Sequence, residues 1–342
     1  MRIVRSEANK RKYFNINVDH CDGFEKFVRQ LLPEIIPTCY LEGYSQLIEQ
    51  VESLSWPTDP RFIFTGSNFD SDEIFKAWTA SKANLGVPYY ISQHGSDQTA
   101  IGYPPWPELI YCNKYFTWGW RNESQKIVPM FNFKIIKRRH VHKKIRDKLL
   151  LIQFHSPHLY GPEDLYYKIK VYRDIQFRFV DMLHSYIQEK LIVRLYHAHD
   201  PHDELIWQER FPNIYIEPGK ANINELKNNS KIVVHSYDST GIPESLGLNM
   251  PMVFLWAGKL SNIFPKAKPY YEKLRDAGIF ADTPEQAAEL VSLYWNDVDK
   301  WWNSKKVQDA RKMFCDNYGR VVAKPLRLLK QHLLHDLNKE KY

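Results

Sequence analysis

The sequence of 342 residues is poor in cysteine and has no long apolar run. Its four cysteines, Cys21, Cys39, Cys112 and Cys315, are far apart, and no two have the spacing of a metal or redox motif. This usage predicts a reducing, cytoplasmic location. No apolar stretch approaches the ~18 residues that a membrane-spanning helix needs, and the N-terminal residues lack the apolar core of a signal peptide. Repeats and low-complexity tracts are absent too. Hydrophobic residues make up 44% and charged residues 25%, which excludes a fibre, a disordered chain and a disulfide scaffold.

The chain also has little net charge outside one segment. The net charge is +7, and Lys134–Lys148 holds eight basic residues and one acid, which leaves 39 basic and 39 acidic residues elsewhere. A nucleic-acid-binding domain spreads Lys and Arg over a face, so no nucleic-acid partner is expected. The segment is interpreted either as a solvated linker or as a contact with the anionic inner membrane face, at ~1 kcal/mol per basic residue. The residues of that contact would be Lys137, Arg138, Arg139, Lys143 and Lys144.

Strand and helix patterns alternate on both sides of the basic segment. Before it, strand patterns at Arg61–Thr65 and Val87–Ser92 flank a helix pattern from about Asp72 to Asn84. After it, strand patterns at 149–154, 192–196, 213–216, 231–235 and 252–256 alternate with helix patterns. The predicted fold class is therefore α/β, with two Rossmann-like domains facing each other across a cleft.

The domain boundaries follow from the same alternation. We predict a first Rossmann-like domain at 1–133, a basic linker at 134–148, a second Rossmann-like domain at 149–320 and a helical tail at 321–342. Ligands of such sheets bind beyond the carboxyl ends of the strands, so the polar turns found there are expected to converge on one interdomain cleft.

One of these turns joins a buried strand to a short helix. The stretch reads VVHSYDSTGIPESLGLNMPMVFLW from Val233 to Trp256; the strand ends at His235, and a helix starts beside Pro243. The N–H groups and dipole of a helix start favour a phosphate, and Glu244 would accept hydrogen bonds from ribose hydroxyls. The alternative is a helix cap and tight turn without a ligand. The predicted phosphate residues are Ser236, Ser239, Thr240 and Gly241.

A second turn, Gln93-His94-Gly95-Ser96-Asp97, follows the earlier strand pattern. His94 and Asp97 suit proton transfer or phosphate contact. The alternative is a plain turn capped by the aspartate.

A third group reads RLYHAHD from Arg194 to Asp200. Arg194 and His197 are expected to neutralise a diphosphate or a carboxylate. His197 and His199 would also suit zinc, but no third ligand has recognisable spacing, so the anion is favoured and no metal is predicted. The turn His155–His158 is similar in kind.

Several of these stretches resemble a bacterial family of transferases that is usually associated with surface-polysaccharide or flagellar-glycan gene clusters. The matching stretches are QHGSD with Gly102-Tyr103, YFTWGW, RLYHAHD through Arg210, STGIPESLGLNMPMVFLW and DVDKWWNSKKVQDARKMFCDNYG. That family resembles GT-B glycosyltransferases, including enzymes that transfer Kdo or nonulosonic acids from CMP-activated donors.

The resemblance implies a metal-independent glycosyltransferase that moves a sugar from a CMP-linked nucleotide-sugar donor to a glycan or lipid-linked acceptor. It implies that the donor lies on the C-terminal domain, while His94 or Asp97 acts from the other domain as a base or a positioning residue. The sequence departs from the family where HGSD lacks a second glycine and where IPES lacks a leucine before Glu244. Family members usually extend further at the N-terminus, so part of the first domain is expected to be missing.

Two functions of other kinds stay open beside this one. The first is a CDP-glycerol-type polymer phosphotransferase on the same architecture. The second is a non-catalytic binding protein of glycan assembly.

Three further features are interpreted as structural. Asp70-Ser71-Asp72 has the form of a metal-binding DxD motif but is interpreted as a helix N-terminus. The tryptophans Trp295, Trp301 and Trp302 are expected to dock a helical region onto the domain. Cys315 is expected to be a core thiol and not a nucleophile.

Overall fold

The computed structural model describes residues 5–13, 16–95, 107–136, 146–154, 162–199, 201–256 and 263–339. The strands are β1 Ile63–Thr65, β2 Tyr89–Ser92, β3 Lys114–Thr117, β4 Ile127–Pro129, β5 Lys148–Ile152, β6 Leu191–Arg194, β7 Tyr215–Glu217, β8 Ser230–His235, β9 Met252–Leu255 and β10 Phe280–Ala281.

The helices are α1 Ala8–Tyr13, α2 Gly23–Ile35, α3 Tyr44–Ser53, α4 Asn68–Ser71, α5 Glu73–Ala83, α6 Pro107–Tyr111, α7 Pro162–Asp181, α8 Ser185–Gln188, α9 Pro201–Arg210, α10 Ile223–Asn229, α11 Gly241–Gly247, α12 Lys268–Asp276, α13 Pro284–Tyr294, α14 Val298–Trp302, α15 Lys305–Tyr318 and α16 Pro325–Lys339. Short 3-10 turns occur at Thr38–Tyr40, Phe133–Ile135 and Trp295–Asp297.

By its packing the chain divides into two compact units. The first comprises Met1–Ser92 and Pro107–Tyr115, and the second Gln93–Trp106 and Phe116–Tyr342. A four-stranded sheet has the order β1-β2-β3-β4, in which β1 and β2 are parallel. The predicted domain boundaries stay a prediction.

The second unit is built on a six-stranded sheet of order β10-β9-β8-β5-β6-β7. All five pairings in it are parallel. Numbered from β5, this is the 3-2-1-4-5-6 order of doubly wound folds, so the predicted α/β fold class is confirmed. The central strands are apolar because helices cover both faces of such a sheet: Leu149–Leu151, Ile232–Val234 and Met252–Leu255 are all buried.

Side-chain caps set the start of two helices. Asp72 caps α5, because its Oδ1 accepts from Phe75 N at 2.9 Å, so the end of Asp70-Ser71-Asp72 is a helix N-terminus. The helical region around the C-terminal tryptophans ends at Trp302, and Ser304 caps the next helix, α15. The strands β4 and β10 and the helix α9 were not predicted.

The C-terminal tryptophans lie in the core, as predicted. Trp302 Nε1 donates to Asn249 Oδ1 at 2.9 Å, Trp301 Nε1 donates to Ala277 O at 3.3 Å, and Trp295 is buried. Burial raises the pKa of the Cys315 thiol to about 12, which agrees with a core role.

One stretch before β5 packs against the end of α15. Arg320 N donates to Trp118 O at 2.8 Å, and Asn132 N donates to Arg320 O at 2.8 Å. Gly119, with φ +131°, lies so close that a Cβ there would be 2.4 Å from Asp316 O. Residues 116–136 thus belong to the core of the second unit.

Candidate functional site

The carboxyl ends of β5 and β8 form the centre of the six-stranded sheet. The two strands are neighbours, and Ile152 pairs with His235 in their register. On one side the sheet continues through β6 and β7, and on the other through β9 and β10. Because the chain winds in opposite directions from this point, a crevice forms beyond the strand ends, where ligands of open α/β sheets bind. The segments that follow β5 and β8 are therefore the candidate site.

Ser236 ties these two strand ends together. Its Oγ donates to Ile152 O at 2.7 Å and lies 2.6 Å from Tyr172 Oη, which accepts from Phe154 N at 2.8 Å. Burial raises the pKa of Tyr172, so the phenol keeps its proton and donates it to Ser236. The single proton of Ser236 is thus donated within the fold, and its predicted phosphate contact stays a prediction.

His235 is the centre of a buried polar group at the end of β8. Its Nε2 lies 3.0 Å from Ser245 Oγ, and its Nδ1 lies 3.4 Å from Ser239 Oγ. Lys227 Nζ donates to Ser245 Oγ at 3.3 Å, and all four residues are buried. Burial, and secondarily the charge of Lys227, lowers the pKa of His235 well below its ordinary value, so the imidazole is neutral.

The next residues form the predicted start of α11. A Cβ on Gly241 would lie 2.6 Å from His235 Cε1, so the histidine ring requires a glycine here. The predicted phosphate contact of Gly241 stays a prediction. Thr240 precedes the helix without making a capping hydrogen bond from its side chain. Glu244 lies in the first turn, half-buried. The ligand roles of Ser239, Thr240 and Glu244 stay predictions.

Glu217 organises the loop that follows β7. Its carboxylate is 2% exposed and accepts from the backbone N–H groups of Gly219 at 3.1 Å, Lys220 at 2.8 Å and Ala221 at 2.7 Å. Arg194 Nε lies 3.5 Å from Glu217 Oε2, and Arg194 Nη2 donates to Gly219 O at 3.5 Å. The guanidinium of Arg194 thus contacts this loop, and its predicted anion contact stays a prediction.

The histidines after β6 have different surroundings. His197 is exposed, and its ring centroid lies 4.2 Å from that of Tyr196. His199 Nδ1 lies 2.7 Å from Tyr196 O, and its Nε2 lies 3.8 Å from Glu204 Oε2. Across the described ranges, no three His, Cys, Asp or Glu side chains gather as a metal-binding group. The predicted ligand contact of His197 stays a prediction.

A pocket with aromatic walls opens beside the ends of β5 and β6. Phe154, Tyr172 and Tyr196 contribute to its lining, together with an ion pair in which Arg173 Nη2 lies 2.6 Å from Asp203 Oδ1.

Gln93 organises the turn that contains His94. Its Oε1 accepts from Trp118 N at 2.9 Å and from Trp120 Nε1 at 2.8 Å, and its Nε2 donates to Gly95 O at 2.7 Å. His94 is exposed on this turn, and its catalytic role stays a prediction. The predicted residues outside the described residues are Asp97, the turn 155–158, Asp200, Lys137, Arg138, Arg139, Lys143 and Lys144.

Sequence analysis did not identify four residues of this site. Lys227 and Ser245 come together only in the fold, where α10 precedes β8 and α11 follows it. Tyr172 occupies one position of a helical apolar pattern and reads as core. Glu217 could have been found, since a carboxylate directly before Pro218-Gly219 is typical of a turn that needs an acceptor for its N–H groups.

Several solved structures are similar to this chain. Among 56 matching chains, the S. aureus MnaA–UDP co-structure is 15% identical, with a TM-score of 0.50 over 87% of this chain and 81% of that one. Acinetobacter baumannii MurG is 12% identical, with a TM-score of 0.45 over 86% and 76%. The H444N variant of the wall teichoic acid polymerase TagF is 12% identical, with a TM-score of 0.45 over 86% and 85%. No curated protein matches the sequence.

The fold is α/β, with a doubly wound parallel sheet in the second unit, and it is similar to that of the MnaA–UDP structure. The model of the LIC12162 family of transferases matches residues 3–333, which is nearly the whole chain. The protein therefore belongs to the LIC12162 transferase family. This confirms the predicted resemblance to a transferase family, while the sugar specificity stays a prediction. No helix in the described part of the chain combines the length and apolarity needed to span a bilayer.

Proposed function

We propose that the protein is a glycosyltransferase that moves a sugar from a nucleotide-activated donor to a bacterial surface glycan. One observation carries the proposal: the loop 236–240 leaves β8 beside β5, where the winding of the sheet reverses. Membership of a transferase family supports the type of reaction. The fold is shared with a protein solved with UDP, which makes UDP a natural probe.

On the donor side, we assign the phosphate to the hydroxyl groups of Ser239 and Thr240. Glu244, one turn into α11, would accept hydrogen bonds from ribose hydroxyls. His197, exposed after β6, would contact the phosphate or a sugar carboxylate. Donors fixed in the protein stabilise the charge that develops on the leaving phosphate, so this chemistry requires no metal.

The transfer itself breaks the bond between the anomeric carbon and the phosphate oxygen, and the nucleotide leaves with the electron pair. The acceptor hydroxyl oxygen bonds to the anomeric carbon and releases its proton. His94 or Asp97 would take that proton as a general base.

For the finer identity, the proposed donor is a CMP-linked Kdo or nonulosonic acid and the acceptor is lipid-linked. The basic segment would then hold the enzyme at an anionic membrane. Co-sedimentation with anionic liposomes should fall when the five basic residues between 137 and 144 are neutralised; unchanged co-sedimentation would refute the membrane contact.

The function is tested by thermal shift with CMP, UDP and CDP-glycerol. A ligand at about 100 times its Kd stabilises by about 2.7 kcal/mol, and for a unit of this size each kcal/mol raises the Tm by about 2–4 °C. We expect a shift of about 5–10 °C with a nucleotide, reduced in Ser239→Ala and unchanged in the exposed control Ser185→Ala. A response to CDP-glycerol alone would favour the phosphotransferase. No response to any of the three would refute the proposal.

A further inference from the structure

Three hydrogen-bond distances connect a buried lysine to the proposed phosphate loop. Lys227 Nζ to Ser245 Oγ is 3.3 Å, Ser245 Oγ to His235 Nε2 is 3.0 Å, and His235 Nδ1 to Ser239 Oγ is 3.4 Å. Ser245 is completely buried, and His235 is 1% exposed. The proposed function uses the last of these residues alone, which leaves the other three without a task.

The charges of these side chains decide which atom donates in each of the three hydrogen bonds. The Lys227 ammonium has donors only, so Ser245 Oγ accepts from it. A positive charge on that side favours a lone pair at His235 Nε2 over an N–H. Ser245 therefore donates its own proton to Nε2, and the neutral ring carries its proton on Nδ1.

The remaining step concerns Ser239. With a proton on His235 Nδ1, Ser239 Oγ accepts from the ring, and its own proton must point elsewhere. A bound oxygen that only accepts hydrogen bonds can accept one from this hydroxyl.

We propose that Lys227 and Ser245 are positioning residues that hold His235 in its Nδ1–H form and so keep the Ser239 hydroxyl as a donor for a phosphate oxygen of the substrate. The assignment of a phosphate to this site rests on the proposed function. The directions of the hydrogen bonds between Lys227, Ser245, His235 and Ser239 do not rest on it. The device would favour a substrate group that accepts a hydrogen bond, such as a phosphate oxygen, at the position that the Ser239 proton faces.

The orientation is tested first, without any ligand. Protein labelled with ¹⁵N-histidine is studied by long-range ¹H–¹⁵N correlation, and the His235 signal is assigned by its loss in His235→Gln or, if that variant does not fold, by its response to Lys227→Met. We expect a protonated Nδ1 and an unprotonated Nε2. In Ser245→Ala the ring should move toward the Nε2–H form, whereas the exposed control Lys220→Met should leave it unchanged. A protonated Nε2 in the unaltered protein would overturn the proposal.

Calorimetric titration with UDP and CMP then tests the consequence. Ser245→Ala and Lys227→Met should each weaken nucleotide binding by about five- to tenfold, the scale of one ordinary hydrogen bond. The double variant Ser239→Ala/Ser245→Ala should bind no more weakly than Ser239→Ala, because Ser245 acts only through Ser239. Additive losses would overturn the proposal. If the unaltered protein binds no nucleotide, the proposed function fails, and the histidine signal still decides the orientation.

Discussion

The loop after β7 offers the sharpest test of what stabilises the loops at the carboxyl ends of the strands. Glu217→Gln keeps the size of the side chain and replaces one carboxylate oxygen by an NH₂ group. Oε1 accepts two backbone N–H groups and Oε2 accepts one, besides the ion pair with Arg194. The best orientation of the glutamine keeps its oxygen on the side with two donors. Its NH₂ then faces Gly219 N–H and Arg194. All three groups are hydrogen-bond donors, so the hydrogen bond and the ion pair on this side are lost.

The expected loss follows from these contacts. A hydrogen bond to a charged group contributes about 1.5–3 kcal/mol, and removing one partner of a buried ion pair costs about 3–5 kcal/mol. Because Arg194 keeps some exposure, we expect a destabilisation of about 3 kcal/mol and a Tm lower by about 6–12 °C.

Calorimetry and urea unfolding measure the change. The matched control is Glu289→Gln, an exposed position within α13, which should change stability by less than about 0.5 kcal/mol. Arg194→Met in the Glu217→Gln background should cost less than in the unaltered protein, since the pair is already broken. A loss below about 1 kcal/mol for Glu217→Gln would refute the view that this carboxylate holds the loop.

Three further outcomes follow from single contacts. Arg11 Nε lies 2.8 Å from the Glu42 carboxylate and lowers its pKa from 4.5 to about 2, so this stabilisation is present above pH 4.5 and lost as the pH falls toward 2. Urea midpoints between pH 2 and 6 should lose this part of their pH dependence in Glu42→Gln; an unchanged profile would contradict it. Ellman's reagent should label one thiol quickly in the native protein, and Cys21→Ser should remove that phase, since the other three cysteines are buried. Trp302→Phe should lower the stability by about 2–3 kcal/mol in urea unfolding, because Asn249 O and Oδ1 lose their indole donor, and a loss under about 1 kcal/mol would speak against that role.

The sequence predicted those parts of the fold whose signal is local. The runs at 149–152, 232–234 and 252–255 are continuous and apolar, which is typical of strands buried on both faces. The strand β10 has two residues, too few for any periodicity. The helix α9 buries only Trp207, so its pattern is mostly polar.

The candidate site was predicted in position but not in its contacts. The loop after β8 lies at the sheet edge, as its polar composition indicated. The partners of Ser236 are Ile152 and Tyr172, 84 and 64 residues away in sequence, so only the folded sheet defines them. The same holds for Arg194, whose partner Glu217 lies on the neighbouring strand.

The packing of residues 116–136 on the end of α15 has a practical consequence for dissecting this enzyme. A fragment that starts at residue 149 would leave Arg320 N–H and C=O without Trp118 O and Asn132 N. It would also uncover the groove that Gly119 fills beside Asp316. A C-terminal fragment, or a chimera that exchanges this half with a relative, therefore has to start before residue 116 to carry its own core. The second unit therefore includes more of the sequence than the stretch that forms its six-stranded sheet.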